Sequence, residues 1–499
     1  MLLHSKLFLV VLLVFLVFSC SSSHSSNDAD ILPDKDIESQ DSETQDDDSG
    51  TQETEIVDDS DETPDLDDSD SDETPSCEEE DEEEFDDEDV VTSYTRCYDE
   101  IPDEPYEGLF ADKKIESKIK KNLGYDSDHE LTEEDLEKVT EIIVDLSKDI
   151  RGVEKLVNLE YVKILTSKIY DYTPLSKLKK LKKLVIQAEN MTCLDESFAL
   201  LTNLETLEIR ETKLKDVSPI EQLVNLTSLD LDENQIEFLP EKIGKLQKLE
   251  RLTFSYNNVK SIKPLVSLIN LKNLGFYHNQ VEDICPVKNM TKMMIINFGY
   301  NNVANISLIK NFSKLEILAA NNNKIEKMPD LQRLKKLQYI YLDYNNISNL
   351  PDMKGLDSLD EMSIAYNNLS EDDFVKFDEL KYVRVLDVAF NKITKVPVMK
   401  NVKSLQELYL NYNYIKDLSG FADNESFPAL KRLDVGSNKI EDVEAFRNRK
   451  GLSSLWVDKN CIKDFSPLEE LQERGTYVGG MHEQLESCER KIITSKEGD

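Results

Sequence analysis

The stretch Leu337–Asp360 reads LQYIYLDYNNISNLPDMKGLDSLD. Its apolar and Asn positions are Leu337, Ile340, Leu342, Asn345, Ile347 and Leu350, and Leu359 opens the same phrase again, 22 residues after Leu337. Apolar residues at the first, fourth and sixth places suit a short strand with one buried face. The remaining residues of the period are too few for a long return helix. Full coils begin at Leu159, Leu181, Leu204, Leu226, Leu249, Leu271, Met293, Leu315, Leu337, Leu359, Val383, Leu405, Leu430 and Leu452, and a degenerate one begins at Val139. Twelve of the thirteen intervals between full coils are 22–24 residues, and the step from Leu405 to Leu430 is 25. Repetition at a fixed period stacks one unit on the next, because a single unit cannot bury its apolar face alone.

The ninth place is Asn at 234, 257, 279, 301, 323, 345, 367, 391, 413, 438 and 460. A buried backbone turn leaves N–H and C=O groups unpaired, and a ladder of Asn amides can satisfy them. Pro240, Pro264, Pro329, Pro351 and Pro397 suit extended or one-turn 3₁₀ connections on the far side. The whole phrase, L-x-x-L-x-L-x-x-N-x-L, resembles the leucine-rich repeat. The resemblance implies an α/β fold: a right-handed solenoid of about fifteen coils over residues 139–470, with a parallel concave β-sheet.

Ahead of the repeats, residues 101–138 read as a helical cap. Ile115, Ile119 and Leu123 form one apolar stripe ended by Gly124, and Thr132 with Asp135 forms a near capping box. Phe110-Ala111-Asp112, this helix and LTEEDL, followed by short repeats, resemble the bacterial internalin-like class. The first coil needs such a cover to keep its core face from water. Residues 471–499 form a C-terminal cap and tail, with a short helix expected around Leu468–Glu473. Two coils are lengthened, by EDDF (Glu371–Phe374) and by GFADNESFP (Gly420–Pro428). Such insertions loop out as neutral additions or as part of a binding edge.

The formal net charge is −42, and most of it is local. Residues 21–100 carry 35 Asp and Glu against Lys35 and Arg96. Without a basic footprint a nucleic-acid partner is not expected. That segment has too little apolar surface to offset chain entropy, so residues 20–100 are read as a disordered acidic linker. Its flexible reach is roughly 50 Å. Residues 1–19 form a signal segment: Lys6, an apolar run from Leu7 to Phe18, then Val17-Phe18-Ser19-Cys20. This ending resembles the lipobox of bacterial lipoproteins, which implies lipidation of Cys20 and an outer-membrane or cell-surface location. Phe18 stands where a smaller residue is commoner, and a plain secretory signal is the alternative.

Of seven cysteines none forms a C-x-x-C pair. In an exported chain, proximity suggests Cys461 with Cys488 and Cys77 with Cys97. Cys193 and Cys285 lie four coils apart, about 20 Å at strand spacing, too far to pair with each other. They read as buried thiols. Five His and no H-E-x-x-H, G-x-S-x-G or P-loop phrase leave no catalytic constellation, and no cofactor or metal is expected.

In the leucine-rich repeat the third, fifth, seventh and eighth places face the concave side. The eighth place from Leu249 onward reads Tyr256, His278, Tyr300, Asn322, Tyr344, Tyr366, Phe390 and Tyr412. Tyr339 joins at the third place, and Tyr341, Tyr409 and Trp456 at the fifth, beside small residues such as Gly275, Asn297 and Ala319. Together these rings are the candidate ligand-binding set, with the Leu337 coil at its centre. Tyr filling space along the Asn ladder is the competing reading. Upstream, Glu208, Glu211, Asp230, Asp232 and Glu233 make the face acidic. The expectation is a non-enzymatic, monomeric binding array for a protein or a glycan. A structural envelope-organising lipoprotein and a phosphatase-regulator-like scaffold are the alternatives.

Overall fold

The computed structural model describes residues 105–488. The signal segment, Cys20, the acidic linker, and Cys77 with Cys97 lie outside the described residues. Sixteen parallel strands form one sheet in chain order, from β1 (Glu141–Val144) to β16 (Tyr477–Gly479). Pairing is in register by repeat position. In β10 (Tyr339–Tyr341), Tyr339 faces Ile317 on one side and Glu361 on the other, while Tyr341 faces Ala319 and Ser363. Every place in the phrase therefore becomes a column running across the coils. At the sixth place this stacks Phe254 on Phe276 and Phe276 on Phe298, with ring centroids 5.6 and 5.7 Å apart. Leu337, Ile340 and Leu342 are fully buried. Each such side chain contributes about 1.5–3 kcal/mol of hydrophobic stabilisation.

The ninth-place Asn ties consecutive coils together. Asn345 Nδ2 donates to the carbonyl of Leu342 in its own coil and of Ala320 in the coil before, both at 3.0 Å. Its Oδ1 accepts the Ile325 N–H at 3.0 Å. The same three bonds recur at Asn301, Asn367 and Asn413. The far side is built from one-turn 3₁₀ pieces such as Lys263–Leu265 and Cys285–Val287, each with Pro in its first turn.

At the entry, α1 (Lys113–Leu123) starts on Asp112, whose side chain accepts the Lys114 N–H, and ends at Gly124 with φ 74°. A capping box of Thr132 and Asp135 opens α2 (Glu133–Glu137). Ile115, Ile119 and Leu136 pack on the first coil. Gly152 sits directly beneath the cap: with φ 103°, its added Cβ would lie 2.4 Å from the Leu109 carbonyl.

Both insertions are anchored in the body by buried aromatic side chains, while Ala422, Asn424, Glu425 and Pro428 of the second remain exposed. Glu371–Phe374 is a helical turn, α3, whose Phe374 packs edge-on against Phe377 in the core. In the other, Phe421 and Phe427 are buried, and the Arg449 guanidinium donates to the Ser426 and Asp423 carbonyls at 2.7 and 3.2 Å. After the last repeat, α4 (Ser466–Glu473) leads into β16, a strand the repeat phrase does not announce. It is short and Gly-rich, and Gly479 lets it lie against Trp456, where an added Cβ would come within 2.8 Å of the indole. Cys461 and Cys488 are joined, with Cα atoms 5.7 Å apart. Cys193 and Cys285 are not thiols: both are disulfide-bonded. Spacing excluded one pairing and could not see others, which is why the thiol reading failed.

Replacing Asn345 by Ala strands the Ile325 N–H and takes one of two Asn amide donors from each of the Leu342 and Ala320 carbonyls, so stability should fall by about 1–3 kcal/mol. Asn346→Ala, at the exposed next position, should be nearly neutral. Chemical denaturation of the two variants side by side checks this; equal effects would remove the Asn ladder from its structural role.

Candidate ligand-binding face

The backbone decides how the eighth place presents its side chain. Glu211, Glu233, Tyr256, His278, Tyr300, Asn322, Tyr344, Tyr366, Phe390, Tyr412, Ser437 and Lys459 all have φ between 53° and 57°. This left-handed turn lets the eighth N–H reach the next coil's seventh carbonyl, as from Tyr344 to Ala365 at 2.9 Å and from Tyr366 to Ala389 at 3.0 Å. Gly and Asn adopt this conformation readily, whereas other L-residues give up about 1–2 kcal/mol. Only Asn322 matches the local preference. The rings at seven of the other positions oppose it, as do Glu211, Glu233, Ser437 and Lys459.

The rings form two groups. Tyr344, Tyr366, Phe390 and Tyr412 stack nearly parallel, with successive centroids 3.9, 3.8 and 4.0 Å apart. Upstream, Tyr256 stacks on His278 at 5.1 Å and His278 on Tyr300 at 6.0 Å. Tyr277, from the seventh place, wedges between Tyr256 and Tyr300 at 5.4 and 5.0 Å. Tyr277 is a member of the set that the eighth-place column alone misses. Its signal was available: Gly299 is the next seventh-place residue, and a Cβ there would lie 3.0 Å from the Tyr277 ring. Asn321 and Asn322 separate the two groups. Tyr256, Tyr300 and Tyr344 remain 41%, 43% and 39% exposed despite these contacts.

The fifth-place rings are not part of that surface. Tyr341 is 4% and Tyr409 8% exposed, because strand neighbours close over the middle of the sheet. Tyr409 donates its hydroxyl to Glu407 at 2.6 Å. Tyr339 is half-buried and stacks on Tyr341 at 6.5 Å. Trp456 lies two coils beyond Tyr412 and meets Tyr477 edge-on, apart from both ring groups. The Leu337 coil therefore contributes Tyr344 to the ladder and Tyr341 to the floor beneath it.

The floor also holds carboxylates. Asp343 accepts hydrogen bonds from Ser363 Oγ and the Ala365 N–H, the latter at 2.8 Å, and Asp387 accepts the Ala389 N–H at 2.9 Å. Burial pushes Asp343 up to about 6, and burial with the nearby Asp343 charge pushes Asp387 up to about 7. Glu361 is raised for the same first reason. Of the upstream acids, Glu208 pairs with Lys183 at 3.0 Å, Asp230 with Arg210, and Glu211 accepts from Gln187 at 2.9 Å, while burial and the nearby Asp230 charge push Asp232 up to about 7. Among the described residues no group of three or more His, Cys, Asp or Glu is placed to hold a metal ion.

A model of tandem leucine-rich repeats matches residues 202–241 and 403–448. The repeats are leucine-rich repeats. Among solved structures, an internalin (InlF) of Listeria monocytogenes is 27% identical, covers 74% of this chain and 95% of its own, and has a TM-score of 0.55. A leucine-rich repeat protein of Leptospira interrogans is 22% identical, covering 69% of this chain and 97% of its own, with a TM-score of 0.57. The ectodomain of the Arabidopsis receptor kinase HAESA, solved with a peptide hormone ligand, is 20% identical, covering 64% and 57%, with a TM-score of 0.52. No curated protein matches the chain in sequence. Leucine-rich repeat folds are typically protein-binding scaffolds, and no catalytic family is indicated.

Two measurements probe this face in the free leucine-rich repeat array. Tyr366→Asn removes two ring stacks, worth about 0.5–1.5 kcal/mol each, but relieves the left-handed backbone, so its stability should change by less than about 1.5 kcal/mol. A loss several times larger would make the ladder a packing element. The folded protein holds the Asp387 proton more tightly than the unfolded chain, so this group adds stability as pH falls from about 7 towards the unfolded value near 4. Asp387→Asn removes that term while Oδ1 can still accept the Ala389 N–H. The melting-temperature gap should therefore shift in favour of wild type between pH 7.5 and 5.5; a pH-independent gap would contradict the assignment.

Proposed function

We propose that the chain is a non-catalytic protein-binding module displayed on a bacterial envelope, holding its ligand on the concave face of the repeats. The observation that carries this is the ring ladder at the left-handed position. Backbone preference would fill those places with Asn or Gly, yet seven of eight consecutive coils, from Leu249 to Leu405, place a ring there. Rings selected only for stability belong in the core, where the sixth-place Phe column already lies. Partly exposed, rigid rings on a preformed sheet can bind with little loss of side-chain freedom, which favours recognition. The likeness to an internalin supports the same reading, as does a peptide-bound receptor ectodomain of the same fold.

The envelope part of the proposal rests on Val17-Phe18-Ser19-Cys20 and the acidic segment after it. Lipidation at Cys20 would fix the chain to the membrane, and the segment to residue 100 would give the array reach.

A triple variant, Tyr300→Asn, Tyr344→Asn and Tyr366→Asn, should keep its melting temperature within a few degrees. It should also lose the proteins that wild type retains from host-cell or envelope extracts. Unchanged retention would take the ligand off this face. Metabolic labelling with palmitate should mark wild type and vanish in Cys20→Ala; equal labelling, or none in either, would end the anchor proposal.

A further inference from the structure

The ladder's surroundings narrow its partner. Over the seven coils from Leu271 to Leu405, the third, fifth, seventh and eighth places contain no Lys or Arg. The same places hold Asp343, Glu361, Asp387 and Glu407. Glu407 is paired with Arg432 at 2.8 Å. At the edge of the face, Arg384 is held by Asp360. Asp343, Glu361 and Asp387 have no ion-pair partner among the described residues. They are neighbours: Asp387 faces Ser363 across the strands, Ser363 faces Tyr341, and Ser363 Oγ donates to Asp343. The Tyr341 hydroxyl is buried beside Glu361 and makes no hydrogen bond of good geometry. A buried hydroxyl without a full partner, beside Glu361 and near Asp343, is an arrangement that an incoming donor would complete.

We infer that the ligand engages coils Leu337 to Leu405 through a cationic polypeptide segment, its Lys or Arg heads directed at Asp343, Glu361 and Asp387. This rests on the concave-face reading above and gives it a charge class. The rings do not attract the cation directly. Their face-to-face stacking at 3.8–4.0 Å hides the electron-rich faces and leaves edges outward. What the ridge of edges offers is an apolar bed for the aliphatic stems of Lys or Arg, while the heads reach the carboxylates. The four coils from Leu337 to Leu405 extend roughly 15 Å at strand spacing, the length of about four or five extended residues. That favours a polypeptide over a compact cation. The chain's own 21–100 segment carries 35 acids against two bases, the same sign as the face, which leaves the face to an external partner.

The test uses the full chain and three dodecapeptides, alternating Lys-Thr, Gln-Thr and Glu-Thr, each with a central benzoylphenylalanine for photo-crosslinking and mapping by mass spectrometry. The Lys-Thr peptide should label the coils between residues 337 and 428 at least about tenfold better than the other two. In the variant Asp343→Asn, Glu361→Gln, Asp387→Asn that labelling should fall about tenfold, while labelling of residues 21–100 stays as an internal control. A melting temperature no lower than wild type's would show the variant folded, and Asp387→Asn alone, losing part of the labelling, serves if the triple variant is unstable. Lys-Thr labelling confined to residues 21–100, or unchanged labelling in the folded variant, would overturn the inference. Equal labelling of the coils by Gln-Thr would overturn it too, yet would leave the concave-face reading standing if the tyrosine variant abolished that labelling.

Discussion

Each coil is bonded to the next in register, so a residue at one place in the phrase meets the residues at that same place above and below. This single constraint converts a periodic sequence into columns, and the core, the Asn ladder and the ring ladder are each a column. Leu and Ile at three places make the core. Asn at the ninth makes a ladder in which each amide serves two coils, as Asn345 serves Leu342, Ala320 and Ile325. Substitution at one place is therefore felt by two neighbours. Stability in such an array is a sum of local coil and interface terms rather than one global core.

The same constraint gives the face its character. In the twelve coils from Leu204 to Leu452 the chain leaves the strand through a left-handed residue, with φ near 55°. Stability alone would place Asn there throughout, as at Asn322. Rings instead form a ladder whose backbone cost is partly offset by stacking. Beneath it, buried acids are held by hydrogen bonds from Ser363, Ala365 and Ala389 rather than by cations. A buried charge without a counter-charge costs free energy that a ligand can recover. The ladder and the acids thus lie on the same face of the sheet.

Much of this was legible in the sequence because periodicity is a property of the chain itself. The strands, the Asn ladder, the cap helix from Ile115 to Leu123 and the eighth-place column all follow from counting. What did not follow depends on neighbours or on torsion angles. Exposure at the fifth place cannot be read from alternation, so Tyr341 and Tyr409 looked like surface and are floor. The left-handed backbone carries no signature when Tyr replaces Asn. Tyr277 joins the rings only because Gly299 beside it is small. That Cys193 and Cys285 are disulfide-bonded is not encoded in their spacing. The short strand Tyr477–Gly479 lacks the phrase and is held by the coil before it.

The central claim is that the ring column is a contact surface. Hydroxyl-radical footprinting of tyrosines, with and without a retained partner, addresses it most directly. Binding should protect Tyr256, Tyr300, Tyr344, Tyr366 and Tyr412, while Tyr170 and Tyr382, both 54% exposed and away from the ladder, react as before. Protection of Tyr170 or Tyr382 with an unchanged ladder would place the partner elsewhere and return the rings to packing.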